Sequence, residues 1–256
     1  MPSNISIRDE LLSSAQRASG RCWRAVEAQN VISTAKLTDT AAEQRVLEEL
    51  IEKSKPQVPP ECRQLNYLLS TPFRYGAPYP RGSRFRRAGH TLGVFYGAEN
   101  PDTAIAELCF RRLLFFSESP ATKWPSQAGE YTAFSARYAA ERAVDLTRPP
   151  FDGRRADWMH KTRYDECQEF ADLARAVEIE IIKYASVRDP KKQMNIALLT
   201  CRAFAAPDPV ERQTWRIILG ANGARALCEM PKVSLDFDRN AFAGDPRIDG
   251  MKWERS

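Results

Sequence analysis

GVFYGAENPDTAIAELCFRRLLFF, residues 93–116, reads as a short strand that turns straight into a helix. GVFYGA is apolar and carries glycines at positions 93 and 97. Asn100 suits an N-cap, Pro101 the first helical position, where a missing N–H costs nothing, and Asp102 the positive end of the dipole. Ile105, Leu108 and Cys109 then share one helix face. Glu107 lies off the centre of that face, able to look sideways into a cleft. Neither GxGxxG nor GxxxxGK[ST] occurs in the chain, so the usual glycine-rich phosphate cradles are missing.

Working outward, CWRAVEA from Cys22 reads as a strand with Trp23 and Arg24 on opposite faces. Residues 1–20 read as a polar helical arm. Thr38 or Asp39 would cap a helix running to about Lys53, with Val46, Leu47, Leu50 and Ile51 as its apolar stripe. KPQVPP stops that helix, and prolines at 56, 59, 60, 72, 78 and 80 mark residues 55–93 as loop-rich. Downstream, EYTAFSARY and RAVDLT read as a pair of strands, and residues 161–177 as an amphipathic helix. IEIIKYAS, MNIALLTC, TWRIILG and ARALCEM follow as strands, and the polar stretch from Pro231 reads as a loosely packed tail. Short strands around a few helices, without regular βαβ alternation, predict an α+β fold of small antiparallel sheets with flanking helices. The expected divisions are an arm at 1–20, a main domain at 21–229 and a tail at 230–256.

Of the 256 residues, 43% are hydrophobic and 28% charged, as in a soluble globular protein. No apolar run is long enough for a membrane span, and the N-terminus has no apolar signal core. Cys22, Cys62, Cys109, Cys167, Cys201 and Cys228 are scattered without a CxxC pair. That predicts reduced core cysteines in a cytoplasmic protein, with neither a disulfide framework nor a zinc site. Only His90 and His160 are available, so a histidine-rich metal centre is not expected. The net charge of +5 mildly favours anionic ligands.

Taken singly, each candidate site residue has an ordinary reading. Arg74, Arg81, Arg84, Arg86 and Arg87 crowd one region and could form a solvated basic loop, a nucleic-acid patch or a diphosphate clamp. Tyr96 could be a rim tyrosine or a ligand platform. Glu107 could be an exposed helix position paired with Arg111 one turn on. Ser186 could be a turn residue; no GxSxG elbow surrounds it. Arg24 could be a surface charge.

Their order carries more than their identities. WRAV, SRFR, GVFYGA, TAIAEL, KYASVRD and NIALL, in that order over about residues 21–205, resemble the RES-domain family. Two departures stand in the second motif, where Phe85 occupies a position usually held by tryptophan and Arg86 one usually held by asparagine. The resemblance implies an ADP-ribosyltransferase-like fold and a bacterial toxin of a RES–Xre toxin–antitoxin pair. It implies that the chain degrades NAD⁺ at the nicotinamide–ribose bond. It assigns catalysis to Glu107, Tyr96 and Arg84, and NAD⁺ binding to Arg24, Arg84, Arg86, Tyr96 and Ser186. NAD⁺ would be the substrate, phosphate a possible co-substrate, and no metal or other cofactor would be needed. The partner would be an Xre-type antitoxin, with room for a homodimer inside the complex, and neither membrane nor nucleic acid would be bound directly. The acceptor stays open between phosphate, water and a protein side chain. A mono-ADP-ribosyltransferase acting on a host protein is therefore the first alternative, and a non-catalytic basic nucleic-acid-binding module the second.

Overall fold

The computed structural model describes residues 4–27, 34, 37–74, 82–89 and 91–255. Arg81 and His90 lie outside the described residues. Helices α1 (Asn4–Ser14), α2 (Ala41–Ser54), α3 (Pro101–Glu118) and α4 (Asp165–Ala176) flank strands that all belong to one hydrogen-bonded network. The strands are β1 (Gln16–Glu27), β2 (Phe95–Ala98), β3 (Gly129–Asp145), β4 (Ile181–Ala185), β5 (Met194–Leu198), β6 (Glu211–Gly220), β7 (Gly223–Cys228) and β8 (Val233–Phe237). The fold is α+β, as the sequence predicts. Its strands make a single eight-stranded sheet rather than several small ones. All the pairings are antiparallel except β3–β4.

The long strand β3 organises this network. EYTAFSARY and RAVDLT are not two strands but parts of one strand of 17 residues. One edge of β3 pairs with β1 along most of its length. The other edge pairs with β6 near its start and with β4 near its end. Because β1 also pairs with β2, β2 with β5 and β5 with β4, the order β1–β2–β5–β4–β3 returns to β1. A closed set of pairings leaves those strands few open edges. Phe95, Phe134, Ile181, Ile196 and Leu198 form one core on one side of these strands. Ile182, Tyr184 and Ala197 form another on the opposite side, under α1 and α4.

Both expected flanks are part of the fold. The expected helical arm is a helix over Asn4–Ser14, but its Ile7 and Leu11 are buried in the core that contains Phe170 and Ala174 of α4, and β1 begins at Gln16. Residues 230–255 are not a loose tail either. They add β8 to the sheet edge and bury Phe237, Phe242, Ile248 and Met251 against Phe110 and Leu113 of α3. Wide spacing of these apolar residues in a polar stretch hid their role. In contrast, α2 has its capping box at Thr40 and Glu43, but buries none of its residues. Among the described residues no helix is long and apolar enough to cross a membrane.

The cysteine expectation divides. Cys22, Cys109, Cys167 and Cys228 are free and buried. Burial pushes the thiols of Cys22 and Cys109 up to about 12, which leaves them inert as nucleophiles. Cys62 and Cys201, 139 residues apart, are joined by a disulfide with Cα atoms 5.8 Å apart. Sequence spacing cannot show a pairing that the tertiary fold creates. The bond ties the proline-rich segment to the end of β5. Cys201→Ser should destabilise the protein by on the order of 2–5 kcal/mol, at about 2–4 °C in Tm per kcal/mol for a chain of this size. Melting with and without reductant tests this. Equal Tm values for oxidised, reduced and Cys201→Ser protein would show that the bond contributes nothing.

Candidate functional site

Helix α3 meets the loop after β4 through one stripe of side chains. Thr103, Glu107 and Phe110 are spaced by four and three residues, so they stack along one helix face. Each meets a different loop residue. Thr103 Oγ1 donates to Asp189 Oδ2 at 2.8 Å. Ser186 Oγ donates to Glu107 Oε1 at 2.7 Å. The Phe110 ring carries the Arg188 guanidinium 4.1 Å from its centroid.

Ser186 is fully buried, and its hydroxyl is used completely. Its proton goes to Glu107. Its lone pairs accept the backbone N–H groups of Arg188 at 3.2 Å and Asp189 at 2.9 Å. One side chain thus closes its own turn and orients the carboxylate. Asn195, on β5, donates from Nδ2 to the same Glu107 Oε1 at 2.7 Å. Glu107 is half-buried, and its Oε2 has no hydrogen-bond partner among the described residues. The Oδ1 of Asn195 is buried and also lacks a partner there. Tyr184 faces Asn195 across the β4–β5 pair. Burial, and next the Glu107 charge, push its phenol well above the ordinary tyrosine range. Tyr184 and Ala185, just before Ser186, line a pocket with Thr147, Arg155 and Trp158. A larger cleft of about 490 Å³ sits at the other ends of β4 and β5, beside Cys62, Arg142 and Cys201, and includes none of the expected site residues.

Strand register decides which expected residues share a face. Paired residues in an antiparallel ladder point to the same side. Tyr96 opposes Ala197, two residues from Asn195, and therefore stands on the Glu107 side of the sheet. Its hydroxyl accepts the Phe85 N–H and bonds Ser83 Oγ, both at 2.9 Å. Trp23 opposes Ala98, which lies on the Tyr96 side, so Arg24 points to the opposite side. There its guanidinium lies over the Phe95 ring, with Nη1 donating to the Tyr96 carbonyl at 3.0 Å. The structure does not bring Arg24 together with Glu107.

The arginine loop is bound to the protein itself. Ser83 and Arg86 close a tight turn by reciprocal backbone hydrogen bonds. Arg84 is buried; its Nη1 donates to the Trp158 carbonyl, and its Nη2 to the His160 carbonyl at 3.0 Å. Its guanidinium stacks 5.0 Å from the Tyr164 ring centroid. Arg86 donates to Thr91, Arg87 to Asp172, and Arg74 to Glu52 and the Pro56 carbonyl. Arg86 is thus turned toward Thr91 and not toward Glu107.

The RES domain family model matches residues 58–220. The chain belongs to the RES domain family. Arg84, Tyr96, Glu107, Ser186 and Asn195 all lie in the RES match, whereas Arg24 and residues 221–256 lie outside it. A search of curated protein sequences gives no match. A solved structure described as the crystal structure of the M. tuberculosis MbcT–MbcA toxin–antitoxin complex aligns with a TM-score of 0.49 and 11% identity, covering 80% of this chain and 90% of that chain. Within the RES domain, sequence reasoning missed Asn195, Thr103 and Asp189 as parts of the Glu107 site. The four-and-three spacing of Thr103, Glu107 and Phe110 was a usable signal. Asn195, inside NIALL, had no local signal of its own.

Proposed function

We propose that this RES-domain chain breaks the nicotinamide–ribose bond of NAD⁺ and acts as the toxin of a toxin–antitoxin pair. The observation that carries the reading is the Glu107 carboxylate. One oxygen is fixed by Ser186 and Asn195, and the other has no partner among the described residues. When the bond breaks, its electron pair leaves with neutral nicotinamide and positive charge builds on the ribose. A carboxylate already held in place stabilises that charge without reorganising. Glu107 is half-buried, and its Oε2, an acceptor with no donor among the described residues, suits a ribose hydroxyl.

Arg84 supports the same reading in a changed role. Its acceptors are neutral carbonyls, and no carboxylate makes an ion pair with it among the described residues. Its charge therefore remains uncancelled at short range and favours an anionic diphosphate nearby. Tyr96 would border the nicotinamide end while its hydroxyl fixes the arginine turn. Ser186 would orient Glu107 rather than act as a nucleophile. The acceptor in the proposal is phosphate or water, with a protein side chain as the next choice. A chain that drains NAD⁺ from its own cytoplasm needs restraint, which an Xre-type antitoxin would supply. The nucleic-acid alternative is weakened because Arg74, Arg84, Arg86 and Arg87 all have intramolecular acceptors.

Purified protein incubated with NAD⁺, with and without phosphate, should release nicotinamide. The co-product should be ADP-ribose with water, or its 1″-phosphate when phosphate attacks. Expressed alone in bacteria, the protein should stop growth while NAD⁺ falls. Growth arrest with NAD⁺ unchanged would end this reading.

A further inference from the structure

We infer that Asp245, which lies outside the residues matched to the RES domain, is a positioning residue for the Glu107 site and acts through Arg188. The inference rests on the functional reading above and concerns how its carboxylate is held.

Arg188 is the central residue of the Ser186 turn. Its backbone N–H donates to Ser186 Oγ, and its side chain is 7% exposed. Nη1 donates to Asp245 Oδ2, and Nη2 reaches the Lys161 carbonyl and the Tyr164 hydroxyl. The flat side of the guanidinium covers Phe110, one helical turn after Glu107. The same residue therefore contacts α3 through its ring stack and closes the turn whose serine holds Glu107.

Asp245 is 1% exposed and built into the C-terminal segment. Its Oδ1 caps the one-turn helix Pro246–Asp249 by accepting Arg247 N at 3.1 Å and Arg247 Nε at 3.0 Å. Its Oδ2 accepts Arg247 Nη2 at 2.9 Å as well as Arg188. Arg247 also lies over Phe110, at 5.4 Å. Burying one carboxylate with two arginines is tolerable only when its lone pairs are filled, as they are here. The chain of contacts runs from Asp245 to Arg188, through the turn to Ser186, and on to Glu107. The C-terminal segment, itself packed on α3, thus fixes the turn through Arg188, and a displaced turn would misplace the carboxylate. Small misplacements of a preorganised group are costly to turnover.

The test compares wild type, Asp245→Ala, Asp245→Asn and Arg188→Lys in the full chain. Two quantities are measured: amide hydrogen exchange at residues 188 and 189, and kcat and KM for NAD⁺. Asp245→Ala should speed exchange at both amides by roughly tenfold or more, lower kcat by about tenfold or more and leave KM within about twofold. Asp245→Asn keeps only one of the two acceptor oxygens and sets an NH2 donor against an arginine, so it should recover little of either effect. If Asp245→Ala does not fold, Arg188→Lys carries the same two measurements, because lysine loses the flat stack on Phe110 and the forked contact. A variant with a lowered Tm but wild-type exchange at 188 and 189 and wild-type kcat would overturn the inference, since a merely stabilising contact behaves that way. If the wild type does not consume NAD⁺, the functional reading fails separately, and exchange alone decides the coupling.

Discussion

Glu107→Gln is expected to give a folded protein that binds NAD⁺ and turns it over about 10²–10³ times more slowly. The geometry makes this substitution unusually clean. Oε1 of the glutamate accepts from Ser186 Oγ and Asn195 Nδ2. A glutamine can present its own carbonyl oxygen to the same two donors. Its amide nitrogen then replaces Oε2, the oxygen with no partner among the described residues. The anchoring survives, while the charge and the acceptor facing the ligand are lost. Stability should change by no more than about 0.5 kcal/mol, as for substitutions that break no buried contact. Titration with NAD⁺, a thermal melt and a nicotinamide-release assay measure the three quantities. Loss of binding together with Tm would return Glu107 to a structural role. A well-folded variant with near wild-type turnover would remove it from the mechanism.

Local grammar was readable and meetings across the chain were not. Asn100, Pro101 and Asp102 announced α3, and its apolar face placed Glu107 off centre. The partners of Glu107 come from 79 and 88 residues away, brought by β4 and β5. No periodicity within either segment records that approach. The same limit explains the disulfide and the reach of Asp245 to Arg188. Hydrophobic spacing also misled in both directions. Val46 and Leu50 form a regular stripe on α2, yet both are exposed. Phe237, Phe242, Ile248 and Met251 follow no regular spacing, yet they complete the core under α3. Strand alternation did separate Trp23 from Arg24, correctly, but only the β1–β2 register shows that this puts Arg24 on the side away from Glu107.

Arg84→Ala is the second large effect, and its kind matters more than its size. An exposed diphosphate clamp would leave Tm unchanged on truncation and raise KM, because a charged contact worth on the order of 1.5–3 kcal/mol would be missing from the bound state. The structure predicts another pattern. Arg84 is buried, and its removal strips donors from the Trp158 and His160 carbonyls and the stack from Tyr164. Each buried acceptor left without a donor costs about 1–3 kcal/mol, and the lost side-chain volume adds to that. The two carbonyls together give about 2–6 kcal/mol, which lowers Tm by about 2–4 °C for each kcal/mol. Arg84→Lys should recover only part of it, since one ammonium lacks the planar fork that reaches two carbonyls. Measured well below Tm, KM should rise less than the stability loss would suggest, through the charge removed from the site. A variant that melts like wild type but needs far more NAD⁺ would put the guanidinium on the substrate and not on the loop. Lowered Tm with a modest KM change would establish Arg84 as the brace that joins the 83–86 turn to residues 158–164 beside Glu107.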